Sequence, residues 1–380
     1  MPRRPDKVRV EIIQDSDGQT IGLSFDRFTS LSVVNDITAP SEASFELGDD
    51  GTWKGLERMV SPGAQFRVFI NDRVYITGRV EMTDVPADAS SGAVVRFVVR
   101  TKMSDAAYAA ADHNVKVKGV SVRDFVLKLY EPLGYKAADF IFDPGTARDL
   151  ITGKISQGGQ PQVPLDPLKE EQAKVQPGES IKECADRHLR RHGFMHWDSP
   201  DGRIVVGAPW DAQDPTYFFR MMRGKNGREN NLLSASRIRD YSQSPSILGV
   251  FGVGGKSDFT KAKVQFHAID ADVINRGFYR PVVIVAEGIK TQKHAEHAAR
   301  REQSARNRRK DAFDLEFDGL SWWDGYRNIG LNTDTTCDIR SDVAGGPLGT
   351  YYVHRVERRR DTSSGDMSRL TVVRKGLWVL

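Results

Sequence analysis

The stretch VQPGESIKECADRHLRRHGFMHWDSPDGRIVV, residues 175–206, carries the sharpest structural signal in the sequence. Ser180 followed three residues later by Glu183 predicts a capping box, which satisfies backbone amides at the start of a helix. Gly193 can supply the left-handed residue that ends this helix, and the turn at 199–202 then predicts a hairpin. One face of the helix consists of Ile181, Cys184, Ala185, His188 and Leu189. The stretch therefore predicts a small α+β module.

On the N-terminal side of this module, residues 8–100 are typical of short strands joined by tight turns. Alternating or dense apolar runs occur at 8–12, 66–70 and 94–99. Asn71 and Asp72 lie between two such runs, as expected for a tight hairpin. We therefore expect a small all-β domain, either a barrel or a sandwich.

Between the β domain and the module, the sequence has first a helical spacing and then a loop-like composition. Apolar residues from Val122 to Leu133 recur at the helical period and stop before Gly134. Residues 153–176 are rich in Gly, Pro, Gln and Lys, so we expect a long surface loop or an extended arm.

C-terminal to the module, strand patterns return and are interrupted by one helical pattern. Strands are predicted at 232–236, 247–253, 281–286, 312–317, 351–356 and 370–373. An alanine- and arginine-rich segment, 291–309, predicts a helix between them. The predicted order is thus a β domain, an α+β middle and a second β domain with a helical insertion.

Composition limits the class of protein. A chain of 380 residues is long enough for two to four domains, and it contains no apolar run of membrane-spanning length. The charged N-terminus leads into a strand pattern rather than an apolar signal core, so export by a cleaved peptide is not expected. Cys184 and Cys337 have no metal-ligand spacing and are predicted to be buried thiols. The net charge of +4 does not indicate a nucleic-acid binder.

Four passages, in this order, resemble the baseplate hub proteins of Mu-like contractile phages and the related late control protein D group. The first is 175–180, with 190–194 and the hairpin at 201–203. The others are NNLLSASR at 230–237, YRPVVIV at 279–285 and AARR at 298–301. Each passage alone is a turn, cap or strand that other folds use, and it is the ordered set that carries the resemblance.

The resemblance implies an α+β, multidomain fold with two tail-tube-like antiparallel β-barrel domains and small α+β modules between them. The first barrel would occupy 5–102, and the middle modules 103–229 with a long loop at 153–176. The second barrel would occupy 230–380, with a strand and helix insertion around 256–309. Two similar barrels in each of three chains would present six barrels to a sixfold tube.

The same resemblance implies a structural, non-enzymatic hub subunit. Its expected partners are two further copies in a homotrimer, the central spike protein, the tail tube and adjacent baseplate proteins, and a tape measure protein is left open. DNA would meet the ring only in passage through its channel, and no membrane span is expected. The expected location is the tail baseplate of the virion, assembled in the cytoplasm of the bacterial host. No cofactor is implied.

The basic helix is the first candidate for other chemistry. Its cations are Lys290, Lys293, Arg300, Arg301, Arg306, Arg308, Arg309 and Lys310, with only Glu296 and Glu302 to balance them. Such a density of charge can meet phosphates, but no nucleic-acid-binding motif accompanies it, so we interpret it as a solvated or subunit-contacting face. His294 and His297 share the helical spacing of a metal pair, yet no third ligand is indicated.

Carboxylates and glycines supply no catalytic pattern. Candidate glycosidase carboxylates are Glu179, Glu183, Asp198 and Asp201, of which Glu183 already has a capping role and the two aspartates flank a turn. The glycine-rich segments 249–255 and 345–349 lack a phosphate-loop frame. We therefore predict no catalytic, cofactor-binding or metal-binding residues.

A peptidoglycan-binding tail component is the alternative function, beside a nucleic-acid-binding module. The segment 175–181 together with 191–193 faintly resembles the opening of a LysM-type glycan-binding module. Against this, a hairpin at 198–202 replaces the second helix of that module. Trp210, Trp322 and Trp323 could stack on sugars, but core or interface packing is the preferred interpretation.

Overall fold

A computed structural model describes much of the chain. The described residues are 5–15, 17–26, 28–48, 60–88, 92–115, 122–142, 175–191, 194–207, 209, 213–224, 229–253, 264–287, 289, 292–325, 328–343, 345–346 and 348–375. The predicted loop at 153–176 falls almost entirely outside them. The described residues are mostly β, in several sheets with fewer helices, so the predicted α+β fold is confirmed in part.

The N-terminal strands form one antiparallel array. They are β1 (Val8–Gln14), β2 (Leu23–Phe25), β3 (Ser30–Asp36), β4 (Glu42–Gly48), β5 (Gln65–Ile70), β6 (Arg73–Asp84), β7 (Ala87–Asp88) and β8 (Gly92–Thr101). Asn71 and Asp72 both adopt positive φ between β5 and β6, which confirms the predicted tight hairpin. Phe45, Phe66 and Phe97 pack against one another in the core of this array.

The middle of the chain is the predicted α+β module. Its elements are α1 (Met103–Tyr108), α2 (Val122–Tyr130), β9 (Phe140–Phe142), α3 (Ile181–Arg191), β10 (Met195–Asp198) and β11 (Ile204–Gly207). The capping box at the start of α3 is confirmed, because the Ser180 amide donates to Glu183 at 2.9 Å and the Glu183 amide donates to Ser180 Oγ at 3.1 Å. The predicted apolar face of α3 is buried. Gly193, its expected C-terminal residue, lies outside the described residues.

The C-terminal region contains most of the remaining elements. They are β12 (Tyr217–Met221), β13 (Ser234–Ile238), β14 (Ile247–Val253), β15 (Val264–Ile269), α4 (Ala271–Asn275), β16 (Pro281–Glu287), α5 (Gln292–Asn307), β17 (Ala312–Asp318), β18 (Trp322–Trp323), β19 (Asn328–Ile329), β20 (Thr335–Ser341), β21 (Leu348–Asp361) and β22 (Gly365–Arg374). Strands β15, β14 and β16 form a separate sheet covered by α5. Gly252 permits this packing, since a Cβ there would lie 2.2 Å from the backbone oxygen of Ile289.

The two β regions repeat the same strand order. It reads β3-β4-β8-β6-β5-β1 in the first region and β13-β17-β22-β21-β20-β12 in the second. The register repeats as well: the Val80–Val99 pair of β6 and β8 corresponds to the Val353–Val372 pair of β21 and β22, and a β-bulge follows each pair. One difference is that β1 pairs antiparallel to β5, whereas β12 pairs parallel to β20.

A trace of this repeat is visible in the amino-acid sequence. SLSVVND at 30–36 and SASRIRD at 234–240 share two serines, a β-branched residue and an aspartate at matching positions. Likewise, SFEL at 44–47 in β4 matches DLEF at 314–317 in β17. The repeat therefore extends from strand order to side chains.

The two predicted tail-tube-like β-barrel domains are not closed barrels in the described residues. The described strands of both repeats belong to a single 14-stranded sheet, and their pairings do not close either repeat into a barrel. Strand β21 joins the two repeats into this one sheet and occupies the outer edge of β3, so the first repeat does not close through that edge. Its first half pairs with β20, while its second half extends beyond β20 and pairs with β3 of the first repeat.

Candidate assembly interface

The junction between the two repeats is an antiparallel ladder between β3 and β21. It runs from the Asp36–Arg355 pair to the Ser30–Asp361 pair. Asp36 and Arg355 approach within 3.8 Å at one end of the ladder. Because backbone hydrogen bonds cross the junction along its whole length, the two repeats are held side by side in a fixed register.

Arg358 lies at the centre of this junction and is fully buried. Its guanidinium donates to the side-chain oxygen of Asn35 at 2.7 Å and also donates to the backbone oxygen of Leu331. It stacks 4.2 Å from the ring centroid of Tyr75. Burial lowers the pKa of Arg358 to about 10. The side chain thus links β21 to β3, β6 and the segment before β20.

Asp198 attaches the middle module to the same region. Its carboxylate accepts hydrogen bonds from the Ser41 amide and the Ser41 hydroxyl, both at 2.7 Å, and from the Thr101 hydroxyl. Burial raises the pKa of the Asp198 carboxyl, although these hydrogen bonds act in the opposite direction. Ser41 Oγ in turn accepts from the amide of Asn35 at 3.2 Å. A continuous polar chain therefore runs from Arg358 to the module.

The N-terminal segment reaches the second repeat through Asp6. This buried carboxylate accepts from the Leu320 amide at 2.7 Å and from the Ser321 hydroxyl at 2.5 Å. The backbone oxygen of Asp6 accepts from Arg360 at 2.6 Å. Polar contacts thus connect all three parts of the chain.

The candidate carboxylates from the sequence each contact other groups of the chain. Glu179 pairs with Arg187 at 2.7 Å, and Asp201 pairs with Arg203 within its own turn. Asp198 instead makes the long-range contacts described above, which its position beside a turn did not indicate. These carboxylates each have a local or interdomain partner, and the prediction that they have no catalytic role stays a prediction.

The basic helix α5 is partly neutralised by its own carboxylates. Arg300 lies 2.7 Å from Glu296, and Arg306 lies 2.8 Å from Glu302. Just beyond the helix, the buried Lys310 amine lies 2.5 Å from Asp270. Arg309 lies 3.8 Å from Asp240. The structure does not describe the side chains of five other candidates, Lys290, Lys293, His294, His297 and Arg301.

A second buried polar cluster stabilises the middle module. His196 Nε2 lies 2.6 Å from the Tyr130 hydroxyl, and His196 Nδ1 lies 3.0 Å from Asp186. Burial alone would raise the pKa of Asp186, but His196 and Lys182 outweigh it and hold that pKa well below its usual value. This cluster is enclosed, which fits a structural role better than access to a substrate.

Gly252, Gly345, Gly346 and Trp322 have structural positions. Gly252 lies in β14, and Gly345 and Gly346 adopt positive φ in the turn before β21. Trp322 is buried with its ring 4.9 Å from that of Phe219, so it packs in the core of the second repeat. Trp210 lies outside the described residues.

Both cysteines are buried free thiols, as the sequence predicts. Burial raises the pKa of Cys184 to about 12 and that of Cys337 further. In the part of the chain that the structure describes, His, Cys, Asp and Glu side chains form no group of three or more suited to a metal ion. None of the described helices has the length and apolar character to cross a membrane.

Several large apolar side chains are exposed instead of buried. Met82 and Val85 lie at the end of β6, while Leu233 precedes β13. A further group, Ile269, Tyr279, Val283 and Val285, lies on or beside the sheet of β14–β16. Exposed apolar residues that cluster at strand edges are typical of protein-contact surfaces.

Comparison with known proteins identifies the relatives of this fold. The chain is 26% identical over 318 residues to the baseplate hub protein gp44 of Escherichia phage Mu, which covers 80% of this chain and 74% of that protein. The chain is similar to the baseplate hub proteins of Mu-like phages. The resemblance predicted from the four sequence passages is therefore confirmed. No protein-family profile matches the chain.

Two solved structures share the fold over nearly the whole chain. A tail protein from Neisseria meningitidis superimposes with a TM-score of 0.75 at 14% identity, covering 99% of this chain and 98% of that protein. The tail protein of prophage MuSo2 from Shewanella oneidensis gives 0.72 at 15% identity, covering 98% and 100%. The first is described as a tail protein and the second as a prophage tail protein, so the chain shares the fold of these tail proteins.

Proposed function

We propose that this chain is a structural, non-catalytic subunit of a phage tail baseplate hub. Three copies would form a ring that adapts the sixfold tail tube to the threefold central spike. The observation that carries this proposal is the internal repeat, in which two regions with one strand order are joined edge to edge. Two similar units in each of three chains supply six similar positions around an axis, while the middle modules keep threefold symmetry.

In this ring, each repeat acts as a tail-tube-like domain that contributes to a barrel completed by its neighbours. The tail tube and adjacent baseplate proteins would contact the face formed by the six repeats, and the central spike would contact the threefold face. A tape measure protein and passing DNA would meet the channel. The subunit would work in the virion baseplate after assembly in the host cytoplasm.

The rigidity of the subunit supports a mechanical role. The Arg358, Asp198 and Asp6 contacts fix the two repeats and the middle module against one another. A rigid subunit loses little conformational entropy on assembly, so more of its contact energy is available to hold the ring together.

Light scattering and native mass spectrometry on the purified chain test this proposal. We expect a species of three times the chain mass of 42.5 kDa. Cell-wall pelleting and DNA binding at increasing salt test the two rival functions, a peptidoglycan-binding module and a nucleic-acid-binding module. A chain that stays monomeric, with or without its spike, and that pellets with peptidoglycan would contradict the hub proposal.

A further inference from the structure

The end of β6 carries an uncovered strand edge. Strand β8 pairs with one side of β6 as far as Asp84. On the other side, β5 pairs as far as Arg79, and the Gly63 amide donates to Val80 at 2.8 Å. From Met82 onward, none of the described strands pairs with this second side. Unpaired edges with apolar side chains promote strand addition, so this edge needs a partner.

Strand β13 carries the other uncovered edge. It pairs with β17 on one side and is the terminal strand of the large sheet as far as the described residues show. The first repeat has no such gap at the equivalent place, because β3 pairs with β4 on one side and with β21 on the other. Among the described strands, the β3–β21 junction is filled, whereas the end of β6 and the outer side of β13, which correspond to its two sides, each lack a paired strand.

The open end of β6 is equivalent to the part of β21 that fills the junction. The Gly63 amide donates to Val80 at the last covered position of β6, and the Asp334 amide donates to Val353 at 3.0 Å at the same place in β21. Beyond this point β21 continues along β3, whereas β6 continues along no described strand.

The open edge of β13 resembles the equivalent strand β3 in its backbone contacts. The Thr29 amide donates to Glu46 at 3.0 Å just before β3, and the Leu233 amide donates to Glu316 at 2.7 Å just before β13. The similarity of residues 30–36 and 234–240 extends this equivalence along both strands.

We infer that residues 82–86 of one protomer pair antiparallel with residues 236–240 of the next protomer, and that this ladder is the subunit junction of the ring. Transferring the register of the β3–β21 ladder places Met82 opposite Asp240 and Asp84 opposite Ile238. The inference rests on the proposed ring and names the surface that closes it. The contact is head-to-tail, which generates a closed ring when the rotation permits.

The backbone amides and oxygens at the end of β6 point in directions that allow this pairing. The Val94 amide donates to the Pro86 oxygen at 3.0 Å, so Pro86 faces β8. Because strand residues alternate in direction, Thr83 and Val85 direct their amides and oxygens to the open side. Pro86 therefore removes no donor from the proposed ladder.

The backbone amides and oxygens of β13 point in directions complementary to those at the end of β6. The Ile37 amide donates to the His354 oxygen at 3.2 Å, so alternate residues of β3, including Val33, face β21. The equivalent residues of the second repeat are Arg237 and Arg239. They would face Val85 and Thr83 of the neighbouring protomer.

Side chains at the proposed junction complement one another. In the filled junction, Arg358 of β21 lies opposite Val33 of β3. In the proposed junction, Val85, just after β6, lies opposite Arg237 of β13. The valine therefore takes the place of Arg358, and the arginine takes the place of Val33. Val85 is 42% exposed and Met82 is 49% exposed in the single chain, and the ladder would cover both.

Paired cysteines test the proposed register. Met82 and Asp240 would form a non-hydrogen-bonded pair, whose Cα atoms lie about 4.5 Å apart, within the range of a disulfide. We expect the double variant Met82→Cys, Asp240→Cys to give disulfide-linked dimers and trimers on a non-reducing gel after mild oxidation. The matched control, Met82→Cys with Arg239→Cys, shifts one residue to the opposite face and should yield at least about tenfold less product.

A second pair of variants tests the same junction without cysteines, in case a cysteine variant folds poorly. Val85→Glu should shift the trimer toward monomer, whereas Ile274→Glu, at a position with the same 42% exposure, should not. A trimer that forms without the Met82–Asp240 disulfide and tolerates Val85→Glu would overturn this junction but not the ring. A chain that remains monomeric would overturn both.

Discussion

The Arg358 guanidinium donates a 2.7 Å hydrogen bond to the side-chain oxygen of Asn35, although the two residues lie 323 positions apart. Arg358 belongs to the second repeat and Asn35 to the first, and both side chains are buried where the two repeats meet. This contact and the β3–β21 ladder join the two repeats directly.

Removal of Arg358 should weaken the junction more than removal of its neighbour. Arg358→Ala leaves the oxygens of Asn35 and Leu331 without their donor and creates a cavity, so we expect a loss of about 3 kcal/mol in the free energy of unfolding. Arg359→Ala is the matched control, because the Arg359 side chain is 59% exposed and should change stability by less than about 0.5 kcal/mol. Urea denaturation measures both. Equal losses would contradict the assigned role of Arg358.

The Asp186–His196 pair should make stability sensitive to acid. The pKa of Asp186 lies below its unfolded value, so its contribution is complete above an unfolded pKa of about 3.9 and is lost as the pH falls toward the folded value. The stability difference between the wild type and Asp186→Asn should therefore shrink below about pH 4, by at most about 1.4 kcal/mol per pH unit. Denaturation between pH 3 and 6 measures this. A difference that grows on acidification would refute the assignment.

Gly252→Ala should disrupt the packing of the β14–β16 sheet. The added Cβ would lie 2.2 Å from the Ile289 oxygen, a backbone atom that cannot move away alone. We expect a loss of about 1–3 kcal/mol. Gly48→Ala is the control, since nothing lies within 4 Å of a Cβ at that strand end. Thermal unfolding of the two variants provides the comparison, and similar midpoints would contradict the close approach.

The two cysteines should be inert in the native protein. Cys184 and Cys337 are buried, and burial raises the pKa of both thiols, so little thiolate is present at neutral pH. We expect no labelling by a maleimide at pH 7 and labelling of both after denaturation, as counted by intact mass. Rapid native labelling of either thiol would show that its surroundings open readily.

Local elements were predictable because their signals are local. Ser180 and Glu183 specify a helix start, and Asn71 with Asp72 specifies a tight turn, whatever the rest of the chain does. The pairing of β3 with β21 was not predicted, because it depends on which distant edges remain uncovered. The similarity between 30–36 and 234–240 is the signal that could have indicated it.

The interface residues illustrate the same limit. Arg358 stands among several arginines at 355–360, and composition gives no reason to place one of them in the core. Side chains alternate between the two faces of a strand, so Arg358 lies on the same inward face as Val356. An arginine is rarely buried, however, so the sequence alone does not predict it there. Its buried partners, Asn35 and Tyr75, come from the other repeat, so only the fold brings them together.

The central claim is that two repeats in each of three chains form a ring with six similar positions. Averaged electron micrographs of the purified protein, classified without imposed symmetry, test it most directly. We predict a ring with threefold symmetry overall and one face on which six similar densities surround a channel. Single-chain particles, or closed assemblies whose subunit number is not three, would contradict the claim.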